Sequence, residues 1–363
     1  MSGSRVLVVG GAGFIGSHVV DDLLAAGSDV RILDVLEGEA HSGKPDYLAD
    51  GAEYVWGDVR DSEVVRQALL GVDAVSHQGA KVGLGVDFGD VGAYVATNDG
   101  GTASLLGALW RRGFTGRLVL ASSMVVYGEG RSRCADHGLV SPAPRQAADL
   151  EAGRFDPPCP HPDCGRPVEV AAVTEDTPAD PRNVYAATKL HQEHLCTLWA
   201  REAGAVAVAL RYHNVYGPGM PRDTPYAGVV AIFRSALAAG HAPQVFEDGG
   251  QTRDFVHVDD VARANVLALT VPGASGAYNV ASGTPHTVLD MAEALAAAMS
   301  GGPAGVSASS RPVVTGQWRP GDVRHVVASP RRAAEELGFA AEIGFEVGMA
   351  ELATAPSRPA TGG

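Results

Sequence analysis

Three observations predict an α/β protein, a doubly wound parallel sheet with a smaller C-terminal α/β lobe. The chain opens with an apolar β-branched run (Arg5-Val6-Leu7-Val8-Val9), a glycine-dense turn from Gly10 to Gly16, and an apolar-periodic stretch beginning Ser17-His18-Val19-Val20. These read as strand, tight turn and helix. Short strand-like runs then alternate with helical periodicity as far as Arg211, which calls for a parallel sheet with helices on both faces. Beyond residue 213 the strands are shorter and the mixture less regular, as expected of a lobe that covers the sheet's carboxyl edge and closes a cleft.

Each glycine of the first turn has a physical task. Gly10 permits the sharp turn, Gly13 removes a Cβ where backbone must approach a pyrophosphate, and Gly16 lets helix pack on strand. The helix then opens at Phe14 and Ile15, and its first N–H groups favour negative charge. Asp34 closes a second apolar run, Val30 to Leu33, where a ribose-binding carboxylate belongs. This is a Rossmann-type dinucleotide site. Asp34 repels a 2′-phosphate, and Val35 and Leu36 offer no cation to bind one, so NAD is expected rather than NADP.

The elements follow in order. Glu37 to Asp50 reads as a polar loop and Ala52 to Trp56 as a third strand. Asp58 and Val59 follow it on the cofactor side, Asp58 being equally suited to cap the next helix, Ser62 to Leu70. Val72 to His77 is a fourth strand, with Gln78 and Ala80 at the cofactor edge, and Tyr94 to Arg112 a long helix carrying Asn98, also a candidate cofactor residue. Leu118 to Ala121 is a fifth strand running into Ser122-Ser123-Met124-Val125-Val126-Tyr127-Gly128. Helices are expected at Val184–Ala203, Val229–Ala239, Asp259–Thr270, Thr287–Met299 and Pro330–Leu337, and strands at Val206–Arg211, Gln244–Phe246, Phe255–Val258 and Ala277–Val280. The division expected is a dinucleotide-binding domain over 1–212, a mainly substrate-binding lobe over 213–352 and a disordered tail over 353–363.

Residues 129–181 interrupt the pattern. Nine of the 22 prolines lie between Pro142 and Pro181 and apolar periodicity is absent, so an inserted loop is expected. Cys134, His137, Cys159 and Cys164 within it are of a type that can hold a structural zinc. The Cys-x4-Cys spacing is looser than a zinc knuckle's, and the expectation is a metal-free, Pro-rich loop.

The bulk properties bound the rest. A formal net charge of −14 argues against non-specific nucleic-acid binding. Four cysteines in 363 residues are no disulfide framework, the first strand leaves no room for a leader, and no apolar run reaches membrane-spanning length, so a cytoplasmic protein is expected.

Chemistry concentrates in two places. Tyr185 and Lys189 are four residues apart on one helix face, so an ammonium can stand by a phenol whose free pKa near 10 makes it a poor base. A nearby cation stabilises the phenolate. Ser123, at the end of the fifth strand, can donate to a substrate oxygen, whereas Ser122 is expected to satisfy local backbone.

With these in place the chain resembles the extended short-chain dehydrogenase/reductases, specifically the NAD-dependent epimerase/dehydratase family acting on nucleotide sugars. The motifs carrying the resemblance span nearly the whole sequence: 10–16, 122–128, Tyr185-x-x-x-Lys189, Arg211 to Pro218, Arg253 to Val261 and Arg319-Pro320-Gly321-Asp322. The resemblance implies Ser123, Tyr185 and Lys189 as catalytic triad. It implies Ser123, Met124, Asn214, Val245, Arg253, Arg319 and Asp322 as substrate-binding residues, the arginines near the diphosphate. An always-charged planar fork suits phosphate oxygens. Asp259 and Asp260, in the same motifs, are expected to cap a helix.

Dehydratases of the family carry Asp-Glu where this chain has Met124 and Val125, which transfer no protons, so water elimination is not expected. The reading is a 4-epimerase that inverts C4 of a dTDP- or UDP-hexose through a 4-keto sugar. The segment Cys159-Pro160 to Cys164-Gly165 and Ala80-Lys81-Val82-Gly83 look most like those of dTDP-L-rhamnose 4-epimerases, with UDP-hexoses and UDP-uronic acids open. An NAD(P)H-dependent 4-ketoreductase would share every motif, and a non-catalytic dinucleotide-binding protein would need no triad. The resemblance also implies a homodimer built on the helices containing Asn98 and Tyr185.

Overall fold

The computed structural model describes residues 3–36, 45–83, 88–221 and 228–356. Seven strands, β1 (Arg5–Val9), β2 (Asp29–Asp34), β3 (Glu53–Trp56), β4 (Ala74–His77), β5 (Arg117–Ser123), β6 (Val206–Tyr212) and β7 (Gly276–Val280), form one sheet. Its order is β7-β6-β5-β4-β1-β2-β3, with every pairing parallel. The order reverses between β1 and β4, and in such a sheet the crevice at the carboxyl ends there is where ligands bind.

The central strands carry continuous apolar runs, Val6–Val9 and Leu118–Ala121, because both faces of the sheet are covered there. Alternate residues of one strand feed different cores. Val6 and Val8 of β1 pack under helices Phe14–Ala25, Val258–Thr270 and Arg331–Leu337. Leu7 and Val9 pack under Ser62–Ala68, Gly101–Arg111 and Val184–Ala203. The Val184–Ala203 helix starts where Asn183 accepts the Ala186 N–H at 2.8 Å and stops at Gly204 in the left-handed region. The helix expected to begin at Tyr94 begins at Val91 and passes through a π-helical turn, Val95–Gly100, centred on Asn98.

The smaller lobe contains a sheet of strands Asn214–Tyr216, Thr252–His257, Pro285–Thr287 and His325–Val326, with helices Val229–Ala238, Val288–Met299 and Phe345–Thr354 around it. Tyr216, Phe233, Phe255, Met291, Leu295 and Leu352 form its core. The chain nevertheless re-enters the large sheet at β7, so residue 212 is not a clean boundary.

Three further expectations are corrected. The insertion contains a three-stranded antiparallel sheet (Arg131–Cys134, Gly138–Val140, Glu169–Ala171) and a short helix, Ala147–Glu151. Its strands are three or four residues long, too short for an alternation to stand out. The tail does not begin at 353, because Ala353 and Thr354 end a helix; residues 357–363 lie outside the described residues, as do 37–44 of the first loop. Asp259 and Asp260 do not cap Val258–Thr270, for His257 is its N-cap. Asp259 accepts from His18 at 2.7 Å, and Asp260 receives Arg263 and the backbone N–H groups of Glu342 and Ile343. Among the described residues no helix is long and apolar enough to cross a membrane.

Candidate active site

The cofactor half of the site is built from main chain. Gly10 has φ +78° at the end of β1, and a Cβ there would run into the backbone of Gly79. A Cβ on Gly16 would collide with the Gly10 carbonyl oxygen. Gly13 starts the Phe14–Ala25 helix with no side chain capping it, which leaves the first turn's N–H groups to an anion. Asp34 is buried at the end of β2 and accepts from Ala12 N at 3.0 Å and Leu36 N at 2.9 Å, tying the glycine turn to the second strand. A turn narrowed to bare backbone, an uncapped helix start and a carboxylate beside them fit a dinucleotide.

Other expected cofactor residues serve this frame. Asp58 follows β3 and pairs with Arg60, whose guanidinium holds its carboxyl below the usual range. The helix-capping alternative for it falls to Asp61, which accepts from Glu63 N and Val64 N. Val59 packs against Gly101. The Gln78 side chain is spent on Ser76, Asn265 and Tyr212. Asn98 is fully buried and contacts no open space. It receives Lys81 N at 2.8 Å and donates to Lys81 O and Thr188 Oγ1, each at 3.0 Å. The side chain of this candidate cofactor residue tethers the loop after β4.

Ser123 and Tyr185 meet at the carboxyl end of β5. The Ser123 Oγ accepts from Val125 N at 3.4 Å. Burial pushes the Tyr185 phenol up to about 12, and the Ser123 hydroxyl bonded to it pulls the other way. Lys189 Nζ donates to Ala121 O at 2.8 Å and lies 5.8 Å from the Tyr185 ring centre. Burial brings that ammonium down to about 8. Both charged forms are disfavoured in a dry site, so each gains from a partner of opposite charge. Ser122 points away, donating to Glu193, which grips Arg211 at 2.8 and 2.9 Å. Its role is structural, as expected, though its partner is a side chain rather than local backbone.

Beyond Tyr185 opens a cleft of about 1170 Å³, above the ordinary range for small-ligand pockets. Met124, Val125, Asn214, Arg253, Arg319 and Asp322 line it. The Asn214 Oδ1 is buried there without a partner among the described residues. The Arg253 guanidinium is held from behind, donating to Thr252 O at 3.0 Å, Arg324 O at 2.9 Å and Val323 O at 2.6 Å, with Asp322 Oδ1 at 3.5 Å. Arg319 is exposed and lies over the Phe246 ring at 4.9 Å. Val245 is corrected: it is fully buried in the lobe's core, while its neighbours Gln244 and Phe246 face the cleft. Strand alternation puts adjacent residues on opposite faces.

No local pattern points to Arg182 and Phe246 on the cleft wall, or to Arg145 behind it. Arg145, from the insertion, pairs with Glu247 at 2.8 Å and donates to Asp322 O at 2.7 Å, bracing the segment that carries Asp322. It sits in a region without periodicity, and its partners are about 100 and 180 residues away.

The sequence profile of the NAD dependent epimerase/dehydratase family matches residues 6–147 and 161–281, and the chain belongs to that family. A dTDP-L-rhamnose 4-epimerase from Burkholderia thailandensis is 35% identical over 361 residues, covering 98% of this chain and 95% of that one. A dTDP-glucose 4,6-dehydratase from Streptomyces niveus is 29% identical over 366 residues, covering 96% of this chain and 91% of its own. The crystal structure of the Thermus thermophilus UDP-glucose 4-epimerase complex with NAD superposes with a TM-score of 0.74 at 33% identity, covering 96% of this chain and 97% of that one. The protein is an enzyme of this family, and its cofactor is NAD.

Proposed function

We propose that the chain is a nucleotide-sugar 4-epimerase that inverts C4 of a dTDP- or UDP-hexose while retaining its NAD. The observation carrying this reading is the composition of the cleft floor. Ser123 and Tyr185 meet there, and the two residues that follow Ser123 are Met124 and Val125, both lining the cleft and neither able to move a proton. Related dehydratases use an acid and a base at those positions; here a phenol is left to do proton transfer alone.

Bound NAD, which the glycine turn, the Phe14–Ala25 helix start and Asp34 would hold, would supply the hydride acceptor for C4 and the same hydride for return to the opposite face. The protein's residues do the rest. Tyr185, as phenolate, takes the proton of the C4 hydroxyl, and Ser123 donates to the same oxygen as it becomes a carbonyl. Lys189, its charge disfavoured by burial, keeps the phenolate in its charged form. Asn214 offers an unpartnered acceptor, and Arg253 and Arg319 hold the diphosphate while the 4-keto sugar turns over in the large cleft. Tyr185 then returns its proton to the inverted alcohol.

Purified protein given no nicotinamide should convert a dTDP- or UDP-sugar into a product of unchanged mass, read by chromatography and mass spectrometry. Loss of water would sink the reading of Met124 and Val125. Activity only with NAD(P)H and a 4-keto sugar would identify a ketoreductase.

We also propose a homodimer through Val91–Arg111 and Val184–Ala203, whose outer faces expose Val95, Trp110 and Leu198. Light scattering should give twice the chain mass, and Trp110→Glu should lower it. A wild-type monomer at micromolar concentration would refute the pairing.

A further inference from the structure

The insertion has a small centre. Its buried cluster consists of Cys134, Val140 and Cys159, with Cys164 and Val168 packed against them. Two valines supply the aliphatic part. Fully burying one contributes ~1.5–3 kcal/mol, whereas ordering the backbone costs ~1–2 kcal/mol for each residue. Modules with so little apolar content are commonly closed by a covalent or metal staple. The four cysteines of the chain are free, so no disulfide serves.

Two tight hairpins meet at this centre. The first runs from strand Arg131–Cys134 through a turn, with Gly138 at φ +69°, into Gly138–Val140, and brings Cys134 and His137 together three residues apart. In the second, Cys159 N donates to Arg166 O at 2.8 Å and Cys164 N to His161 O at 3.2 Å, so Cys159 and Cys164 turn toward the first pair. His137 Nδ1 lies 3.5 Å from both Cys134 Sγ and Cys159 Sγ, and Cys134 Sγ lies 3.9 Å from Cys164 Sγ. All four donor atoms fall within 4.8 Å of one another. A single shared proton would account for one of these approaches, not for a closed set of four.

A tetrahedral ion with bonds of about 2.3 Å to sulfur and about 2.0–2.1 Å to nitrogen sets neighbouring sulfurs about 3.8 Å apart and sulfur about 3.5 Å from nitrogen. The two sulfur–nitrogen separations of 3.5 Å and the Cys134–Cys164 separation of 3.9 Å match these values. Backbone N–H groups of Asp136 and His137 face the Cys134 sulfur and that of His161 the Cys159 sulfur, the donors a thiolate requires. The His161 ring stacks on His137 at 4.0 Å and fixes its orientation.

We propose that Cys134, His137, Cys159 and Cys164 bind one structural zinc ion. Three thiolates and an imidazole in a closed tetrahedron leave no position for a substrate, so the ion organises the insertion rather than taking part in the reaction. The fold it closes carries Arg145 onto Glu247 and Asp322, and Asp156 onto Arg324 at 2.7 Å. The ion thereby stiffens the support behind Arg253. This holds whatever the substrate is.

The test uses the full-length protein, purified without a metal-affinity step and dialysed against buffer. Elemental analysis should find about one zinc per chain, released in one step by a mercurial that caps thiolates. Replacement by Co²⁺ should give the thiolate-to-metal charge-transfer band and tetrahedral visible bands of a Cys3His site, which no variant is needed to observe. Cys159→Ser and Cys164→Ser should each weaken zinc affinity about 10–100-fold or more, while Cys196→Ser, remote from the cluster, keeps a full complement. Zinc-stripped protein should become cleavable between residues 129 and 181 under limited proteolysis. Wild-type protein from zinc-supplemented culture with only trace zinc and no cobalt–thiolate band would overturn the proposal. So would a Cys134–Cys164 disulfide found by mass mapping, or an insertion equally resistant with and without metal.

Discussion

The two halves of the cleft are made of different materials. The cofactor half is backbone: a turn stripped to glycine, an uncapped helix start, and a carboxylate that binds the turn. The substrate half is side chain, and its principal cation, Arg253, is fixed by oxygens from residues 252, 322, 323 and 324, of which 322 and 324 are braced in turn by the insertion. Most of this backbone geometry is set within the one stretch from Gly10 to Asp34. Side-chain geometry depends on contacts that span the chain. The first half is therefore rigid in specification and the second open to retuning.

The largest effect should come where the halves meet. Tyr185→Phe should lower kcat by about 10²–10⁴-fold while NAD remains bound, read by turnover together with cofactor released on denaturation. A variant that lost NAD in parallel would assign Tyr185 to binding. In the backbone half, Gly16→Val should destabilise the fold by about 4 kcal/mol or more, since the side chain has nowhere to go but into the Gly10 carbonyl, and denaturant titration measures it. In the substrate half, Arg253→Ala should raise KM about 10–100-fold, the worth of hydrogen bonds to a charged group, and the exposed Arg319→Ala by less than about tenfold. Equal effects from the two arginines would mean that pre-organisation by the insertion is irrelevant.

The smallest effect concerns pH. The proposed mechanism uses the Tyr185 phenolate, so kcat/KM should rise with pH and level off above the phenol's pKa in the NAD-bound enzyme. Lys189→Met removes a cation near that phenolate, which raises the pKa and moves the rising limb to higher pH. A limb that stays in place would leave Lys189 with no electrostatic role.

This division also explains what is legible in the sequence. Glycines 10, 13 and 16, Asp34, the strand-end Ser123 and the Tyr185/Lys189 spacing are local patterns, and the parallel sheet follows from strands apolar on both sides. Val245 escapes a sequence reading because a one-residue change of register exchanges core for cleft, and two residues of strand reveal no phase. Asn98 looks like a ligand from its place on the helix, yet its amide is consumed by Lys81 and Thr188, contacts made by a chain segment 17 residues away and another 90 away. The insertion looks like loop because its centre gathers cysteines and a histidine spread over 30 residues, with too few aliphatic side chains to print a period.

The π-helical turn at Val95–Gly100 has an evolutionary consequence. Such a turn accommodates one residue more than an α-helix of the same height. Deleting a single residue from it would restore the regular helix and swing Asn98 by about 100° around the axis, away from Lys81. The flanking helix would survive and the loop beside the cofactor would come loose. Single-residue deletions in this six-residue window should therefore be tolerated by folding and purged by function, a signature a deletion scan would read directly.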